Sequence, residues 1–350
     1  MNLKQLAAHL GLSQTTVSRA LNGYPEVSEA TRRRVADAAA QHNYSPNTRA
    51  KGLATGRAMA VGHVIPTSTR HEMVNPIFGD FISGAGETYA ANGYDMVLSM
   101  VDDGDQPRVY RELKAKGTVD GLIIHGPAVD DPRISLLRDL GLPFLVHGRA
   151  SQEAGPYSWL DVNNTSAFSR ATELLIDLGH ERIAFLNGLE TMDFAKRRRM
   201  GFEKAMTARG METVPDLMRS KEMTETYGYE HAKEMLSTES PPTAFLVSSM
   251  IVAMGVRRAL EESGLALGRD VSLITHDDDL SYLSNGGEVP LFTATRSSVR
   301  EAGRLAAKML LDQIAAPHAP LPTRLLEAPL MHGGSTGPRN DRGPLTHAAQ

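Results

Sequence analysis

Residues 3–22, LKQLAAHLGLSQTTVSRALN, constrain this chain more than any other stretch, because they write two short helices and the turn between them. Leu3, Leu6, Ala7 and Leu10 recur at the i, i+3, i+4, i+7 spacing of a single helical face. Gly11 supplies the backbone freedom of a tight inter-helix turn, and Ser13 is a suitable N-cap for the second helix. Val17 and Leu21, four apart, face back onto the first helix. Gln14, Thr15, Thr16, Ser18, Arg19 and Asn22 are left outward, a surface of hydroxyl, amide and guanidinium groups suited to base edges and phosphates. A helical hairpin with a solvated polar face fits the same spacing, so both readings stand on pattern alone.

Charge favours the first. Residues 1–58 hold eight Lys or Arg (Lys4, Arg19, Arg32, Arg33, Arg34, Arg49, Lys51, Arg57) against Glu26, Glu29 and Asp37, a net charge of about +5 in a chain whose total is −4. A basic head on an acidic body suits a nucleic-acid module joined to a domain with a different task. Ser28 is expected to cap a third helix to about His42, with Val35, Ala38 and Ala39 inward. The Arg32–Arg34 run on it fits a solvated face and phosphate contact equally. Asn43 to Gly56 is polar and Gly/Pro-punctuated, a linker holding one weak helix at about 47–54, too short to be stable alone.

From Met59 onward, strand-like runs alternate with helical patterns. AMAVGHVI, YDMVLSM, DGLIIH and PFLVHG form one group of strands; RIAFLN, TAFLVSS, VSLITH and FTATR form a second. Helices are expected near 78–92, 105–116, 131–140, 164–179, 193–210, 226–237, 249–263 and 298–314. Such alternation predicts parallel sheets covered on both faces, here two doubly wound lobes with a cleft at the strand carboxyl ends. The Pro/Gly-rich stretch from Ala150 to Tyr157 reads as the lobe boundary, and the segment from His332, without apolar periodicity, as a disordered tail.

Enzymatic readings find little support. There is no cysteine, so thiolate chemistry is excluded, and no phosphate-binding loop, nucleophile elbow or dinucleotide fingerprint occurs. The HDDD run at His276–Asp279 lacks a second ligand cluster and reads as a strand end gripping a ligand hydroxyl, not as a metal site. No catalytic residue, metal or cofactor is assigned. Position alone nominates Asp277 as a bidentate acceptor, Arg198 within Arg197–Arg199 as a fork donor, Asn75 and Phe78 in the first strand-to-helix loop, and Phe194 and Trp159 as stacking surfaces. The three aromatics fit core positions equally well.

The run LGLSQTTVSRALNGYPEVSEATRRRV, then HNYSPNTRAKGLATGR, resembles the LacI/GalR family of bacterial transcription regulators. NPIFGDFISGAGE, VDGLIIHGP, LGHERIAFLNG, RRRMGFEKAM and GRDVSLITHDDD extend the resemblance to about residue 330. Within that family the chain is similar to rhizobial α-glucoside-type regulators. The resemblance implies a periplasmic-binding-protein-like body crossed three times by the chain, and a hinge helix whose Leu53 wedges into the minor groove. Arg198 then fits the family's ligand-binding Arg three residues before Gly201–Phe202, and Asp277 the Asp after the late strand. Asn75, Phe78 and Phe194 match effector-contact positions. Ser248–Ser249 stand where the family usually has Asn-Asp, and Ser297 where Gln often follows an Arg. Shorter side chains there leave room for a ligand larger than a monosaccharide.

The expected fold is α/β: an all-helical helix-turn-helix head (1–46), a hinge and linker (47–58), and a two-lobed effector-binding and dimerisation domain (59–331), followed by the tail (332–350). The first lobe is expected at 59–157 plus 293–318 and the second at 158–290 plus 319–331. The expected function is a cytoplasmic, homodimeric repressor of a carbohydrate-utilisation operon. It binds palindromic double-stranded operator DNA through Gln14, Thr15, Thr16, Ser18, Arg19, Asn22, Arg49 and Leu53. A sugar, a disaccharide or α-glucoside, tunes it through Asn75, Phe78, Trp159, Phe194, Arg198, Ser248 and Asp277. A sugar-binding protein or an enzyme carrying a DNA-binding head is the alternative. No apolar run approaches a membrane span, and the N-terminus is too short and amphipathic for an export signal.

Overall fold

A computed structural model describes residues 1–44, 56–66, 75–152 and 155–340. The head is three helices, α1 (Leu3–Leu10), α2 (Gln14–Leu21) and α3 (Glu29–Gln41). Asn2 and Gln5 form a reciprocal capping box on α1, Gly11 turns the chain at φ 63°, and Ser13 and Ser28 cap α2 and α3 by accepting from Thr16 N and Thr31 N. Leu6, Ala7, Leu10, Val17, Ala20, Val27, Val35, Ala38 and Ala39 close a small core. The arginine run is divided in its work. Arg34 donates to the Leu10 carbonyl at the end of α1, Arg32 to the Gly23 carbonyl beyond α2 at 3.4 Å, and Arg33 pairs with Glu29 at 2.8 Å on the open surface. Two of the three cations therefore hold chain ends together, where cations complement helix C-termini.

The body follows as β1 (Ala60–Pro66), α4 (Pro76–Ala91), β2 (Asp95–Val101), α5 (Gln106–Lys116), β3 (Gly121–His125), α6 (Pro132–Asp139), β4 (Phe144–His147) and β5 (Ser158–Val162). It continues with α7 (Asn164–Asp177), β6 (Ile183–Asn187), α8 (Asp193–Ala208), β7 (Met218–Ser220), α9 (Glu225–Leu236), β8 (Ala244–Val247), α10 (Met250–Glu262) and β9 (Ser272–Asp277). The last elements are β10 (Thr293–Arg296), α11 (Val299–Ala315), β11 (Thr323–Leu326) and β12 (Leu330–Met331). The strands build two six-stranded sheets, ordered β11-β5-β4-β3-β1-β2 and β12-β10-β9-β8-β6-β7. All pairings are parallel except β10 with β12. β1, β3 and β4, and β6, β8 and β9, are nearly continuous apolar runs, as strands covered on both faces must be. Gly84 on α4 and Gly303 on α11 let those helices touch: a Cβ at either would lie 2.0–2.1 Å from a carbonyl oxygen of the other helix.

The lobe boundaries differ from expectation. β5 and β11 belong to the first sheet and β10 to the second, so the chain changes lobe after Val162, Arg296 and Leu326. The loop at 150–157 precedes the last strands of the first sheet and does not mark the crossing. Its Pro and Gly residues punctuate a turn, and SWLDV, short and half polar, gave no strong strand pattern beside it. The tail differs too over its described part, while residues 341–350 lie outside the described residues. Residues 332–340 pack on the second lobe: Ser335 is fully buried, its carbonyl accepts from Leu273 N at 2.8 Å and its hydroxyl from Thr293 N at 2.8 Å. The Gly337 carbonyl accepts from Ser272 Oγ at 3.0 Å, and Arg339 N donates to the Leu178 carbonyl. Main-chain bonds and small residues hold this segment, which explains its lack of apolar periodicity.

The first described residues after the linker are clamped. The Asp120 carboxylate accepts from Ala58 N at 2.7 Å and Met59 N at 2.9 Å, fixing where the chain enters the first lobe.

Candidate functional site

On the head, Gln14, Thr15, Arg19 and Asn22 are exposed, and Thr16 and Ser18 half-buried. Thr16's hydroxyl is engaged with Ser13 Oγ at 2.8 Å, and Asn22 Nδ2 donates to the Ser18 carbonyl at 2.8 Å. Gln14, Thr15 and Arg19 remain as the outward groups of α2, a short helix narrow enough for a major groove. Arg49, Leu53 and the expected hinge helix lie outside the described residues.

Between the sheets, at their strand carboxyl ends, lies a cavity of about 370 Å³. The first lobe presents His125, His147 and Asp161 at the ends of β3, β4 and β5; the second presents Ser248 beyond β8, His276 near the end of β9 and Asp278 just beyond it. Arg198 on α8 forms the polar centre. Its Nε donates to Asn164 Oδ1 at 2.8 Å and its Nη1 to the Ser248 carbonyl at 2.6 Å, while Phe168 and Phe194 flank the guanidinium at 5.0 Å each. Nη2 has no protein partner among the described residues. Burial lowers the Arg198 pKa to about 10, opposed by the charges of Asp278 and Asp161. Burial likewise pushes Asp278 up to about 7, with Arg198 pulling it down. Asp161 is raised by burial and steadied by Arg149, whose Nε donates to it at 2.8 Å.

Asn75, Phe78, Phe194, Arg198 and Ser248 all line this cavity. Asn75 also caps α4 through Ile77 N at 3.1 Å, and Phe78 meets His125 edge-on at 5.2 Å. Two expected residues do not line it. Asp277 faces away from the cavity, accepting from Asp279 N at 2.8 Å, with Arg296 Nε at 3.8 Å. Side chains alternate along a strand, so His276 and Asp278 share the cavity side and Asp277 takes the other. Trp159 lies deeper along β5, in the core of the first lobe, with the Arg149 guanidinium 4.7 Å over its ring. It supports the arginine that holds Asp161. Sequence reasoning missed His125, His147, Asp161, Asn164, His276 and Asp278. The first two end the strands DGLIIH and PFLVHG, and the rule that ligands bind beyond strand carboxyl ends would have found them.

The lobes touch on both sides of the cavity. Ser151 N donates to Asp193 Oδ2 at 2.7 Å, Asp193 N to the Pro127 carbonyl at 3.0 Å, and Val129 N to the Thr191 carbonyl at 3.2 Å. On the opposite side Ser281 N and Oγ donate to Asp80 at 2.6 and 2.7 Å. These bonds are few, so a ligand with different affinity for different lobe arrangements can bias them.

Residues 2–47 match the bacterial regulatory proteins of the lacI family, and residues 172–336 match the periplasmic binding protein-like domain. The HTH-type transcriptional regulator AglR of Rhizobium meliloti (strain 1021) is 44% identical over 346 residues, covering 99% of this chain and 97% of that protein. A solved transcriptional regulator CelR-cellobiose complex is 28% identical with a TM-score of 0.70, covering 95% of this chain and 99% of that one. The lac repressor dimer bound to operator and the anti-inducer ONPF is 26% identical with a TM-score of 0.80, covering 95% and 98%.

Proposed function

This chain belongs to the lacI family of bacterial regulatory proteins, and from that premise we propose that it represses a carbohydrate-utilisation operon under the control of a sugar bound between its lobes. It is a DNA-binding transcription regulator and not an enzyme. The observation that carries the sugar reading is the centre of the cleft: Arg198 with an open Nη2, the carboxylates of Asp278 and Asp161, and the rings of Phe78 and Phe194. Carboxylate and guanidinium groups beside aromatic faces suit a polyhydroxylated ring. The ligands named for the similar CelR and lac repressor structures support the same class. Ser248 and Ser297, short side chains at the wall, leave space that favours a disaccharide or α-glucoside.

In this reading Arg198 and Asp278 clamp the ligand from the second lobe, with Asn75, Phe78, Phe194 and Ser248 around it. Residues 1–46 form the head and 47–58 the hinge and linker. Gln14, Thr15 and Arg19 read the major groove of a palindromic operator from two copies of the chain, with Thr16, Ser18, Asn22 and Arg49 at the contact margin. Leu53 is the minor-groove wedge, which exchanges unstacking for a bent duplex that meets more protein. The protein works in the cytoplasm, where its operator is; among the described residues no helix is long and apolar enough to cross a membrane.

The test is a titration of labelled upstream DNA with the full chain, with and without maltose, trehalose, sucrose, cellobiose and glucose. A disaccharide is expected to shift operator affinity more than glucose does. Tight operator binding that no sugar alters would end the carbohydrate reading and leave the regulator reading intact.

A further inference from the structure

Behind the cleft wall two buried polar side chains, Tyr89 and His63, are joined in a row to the cavity-lining His125, and the sugar reading does not use them. Tyr89 Oη lies 3.2 Å from His63 Nε2, and His63 Nδ1 lies 2.9 Å from His125 Nε2. Tyr89 and His63 are almost wholly inaccessible, while His125 borders the cavity. Burial holds both histidines far below their usual pKa, so each ring is neutral and carries one proton on one of two nitrogens.

The row can be polarised in two directions. If His125 donates from Nε2, then His63 donates from Nε2 to Tyr89, and the Tyr89 hydroxyl proton has no acceptor among the described residues. If Tyr89 donates to His63 Nε2, then His63 Nδ1–H donates to His125 Nε2 and every buried donor is satisfied. The second arrangement leaves the His125 proton on Nδ1. That nitrogen has no protein partner among the described residues, and the one buried side-chain atom left unsatisfied there is Arg182 Nε. Nδ1 of His125 therefore opens on the space its ring borders, the cleft.

We propose that Tyr89 and His63 are positioning residues that lock His125 in its Nδ1–H tautomer, so that the His125 ring offers the ligand a donor and no acceptor. The ligand atom opposite it is an oxygen that accepts: the ring or bridging oxygen of a glycoside, or a hydroxyl through its lone pair. This rests on the cleft being the ligand site. His125 donates from the first lobe, and the carboxylates of Asp161 on the same lobe and Asp278 on the other accept from hydroxyls.

Selective 15N-histidine labelling of the full-length protein, without ligand, reads the tautomers directly. Protonated Nδ1 on both His63 and His125 is expected; protonated Nε2 on His125 overturns the proposal. His63→Leu removes the donor, and the His125 pattern is expected to move to a mixture of tautomers. Affinity for the tightest-binding member of the disaccharide panel should fall about tenfold, the size of one lost hydrogen bond. His63→Asn, whose amide lies near the place of the imidazole Nδ1–H, is expected to restore both. An unchanged His125 pattern in a folded His63→Leu protein would overturn the proposal too. The spectrum decides even if no sugar in the panel binds, an outcome that counts against the carbohydrate reading alone.

Discussion

Arg19 stands exposed on a helix above a core of nine small or medium side chains, and its side chain makes no hydrogen bond or ion pair among the described residues. Arg198 is buried between two aromatic rings and holds the Ser248 carbonyl and the Asn164 side chain. The same side chain therefore works under two regimes. On the proposed assignment, reading and folding are carried in the head by different residues, so the reading face can be altered at little expense to stability. In the cleft they are carried by the same residues, so a change of ligand contact is also a change of packing. The head's weakness lies elsewhere, in how little core it has.

The largest expected effect breaks the head through that core. Leu6→Ala should remove about 2–5 kcal/mol, comparable to the whole stability of a domain this small. Operator binding should disappear while sugar binding and the main thermal transition persist. Retained operator affinity would show that the body stabilises the head.

Arg198→Ala should come next, with ligand affinity down about a hundredfold or more, since several buried groups lose their partner at once. Here the melting temperature of the body should fall together with binding. Asp278→Ala should likewise abolish the sugar response and Asp277→Ala should retain it, a pair that calorimetry can separate. The reverse result would put the cleft's polar centre on the other side of β9.

Arg19→Ala should cost about 1–3 kcal/mol of operator affinity and relax specificity at one base position, with no shift in melting temperature. Arg33→Ala, a smaller effect, should weaken operator and random DNA alike. Equal losses on both DNAs for Arg19→Ala would reduce it to a phosphate contact.

The smallest effect is in pH. Burial raises Asp278 from 3.8 to about 7 in the folded chain, so the folded state keeps a proton that the unfolded state has released. Its contribution to stability is therefore greatest in acid and declines as pH rises from about 4 to about 7. His63 and His147, pushed down to about 3 and about 4 by burial, act oppositely: their contribution is complete above 6.5 and is lost as pH falls. Sugar affinity should rise with pH through about 7 as the Asp278 carboxylate forms. Asp278→Asn should flatten that rise, and a profile identical to wild type would mean that another group titrates.

The same contrast governs what could be read from sequence. The head was legible almost to the residue, because caps, Gly11 and a heptad-like face are local signals. Its arginine run was not, since whether Arg34 meets a phosphate or the Leu10 carbonyl depends on contacts twenty-four positions apart. The eight apolar strands of the body were legible, while β5, β7, β11 and β12, short and partly polar, were not. In the cleft, Arg198 and Phe194 were found by their place after a strand. Asp278 was missed for Asp277 because a one-residue error along a strand exchanges its faces.

The clamp of Asp120 on Ala58 N and Met59 N is blind to side chains. It grips main chain, so the linker sequence can drift and a different head can be joined upstream without disturbing the seat on which it stands. Head and body are in this sense separately heritable parts, able to exchange partners as long as the two amides survive. Proline would break the joint from the linker side, since it alone has no N–H to offer, and at position 59, where φ is 54°, a β-branched residue would strain it too.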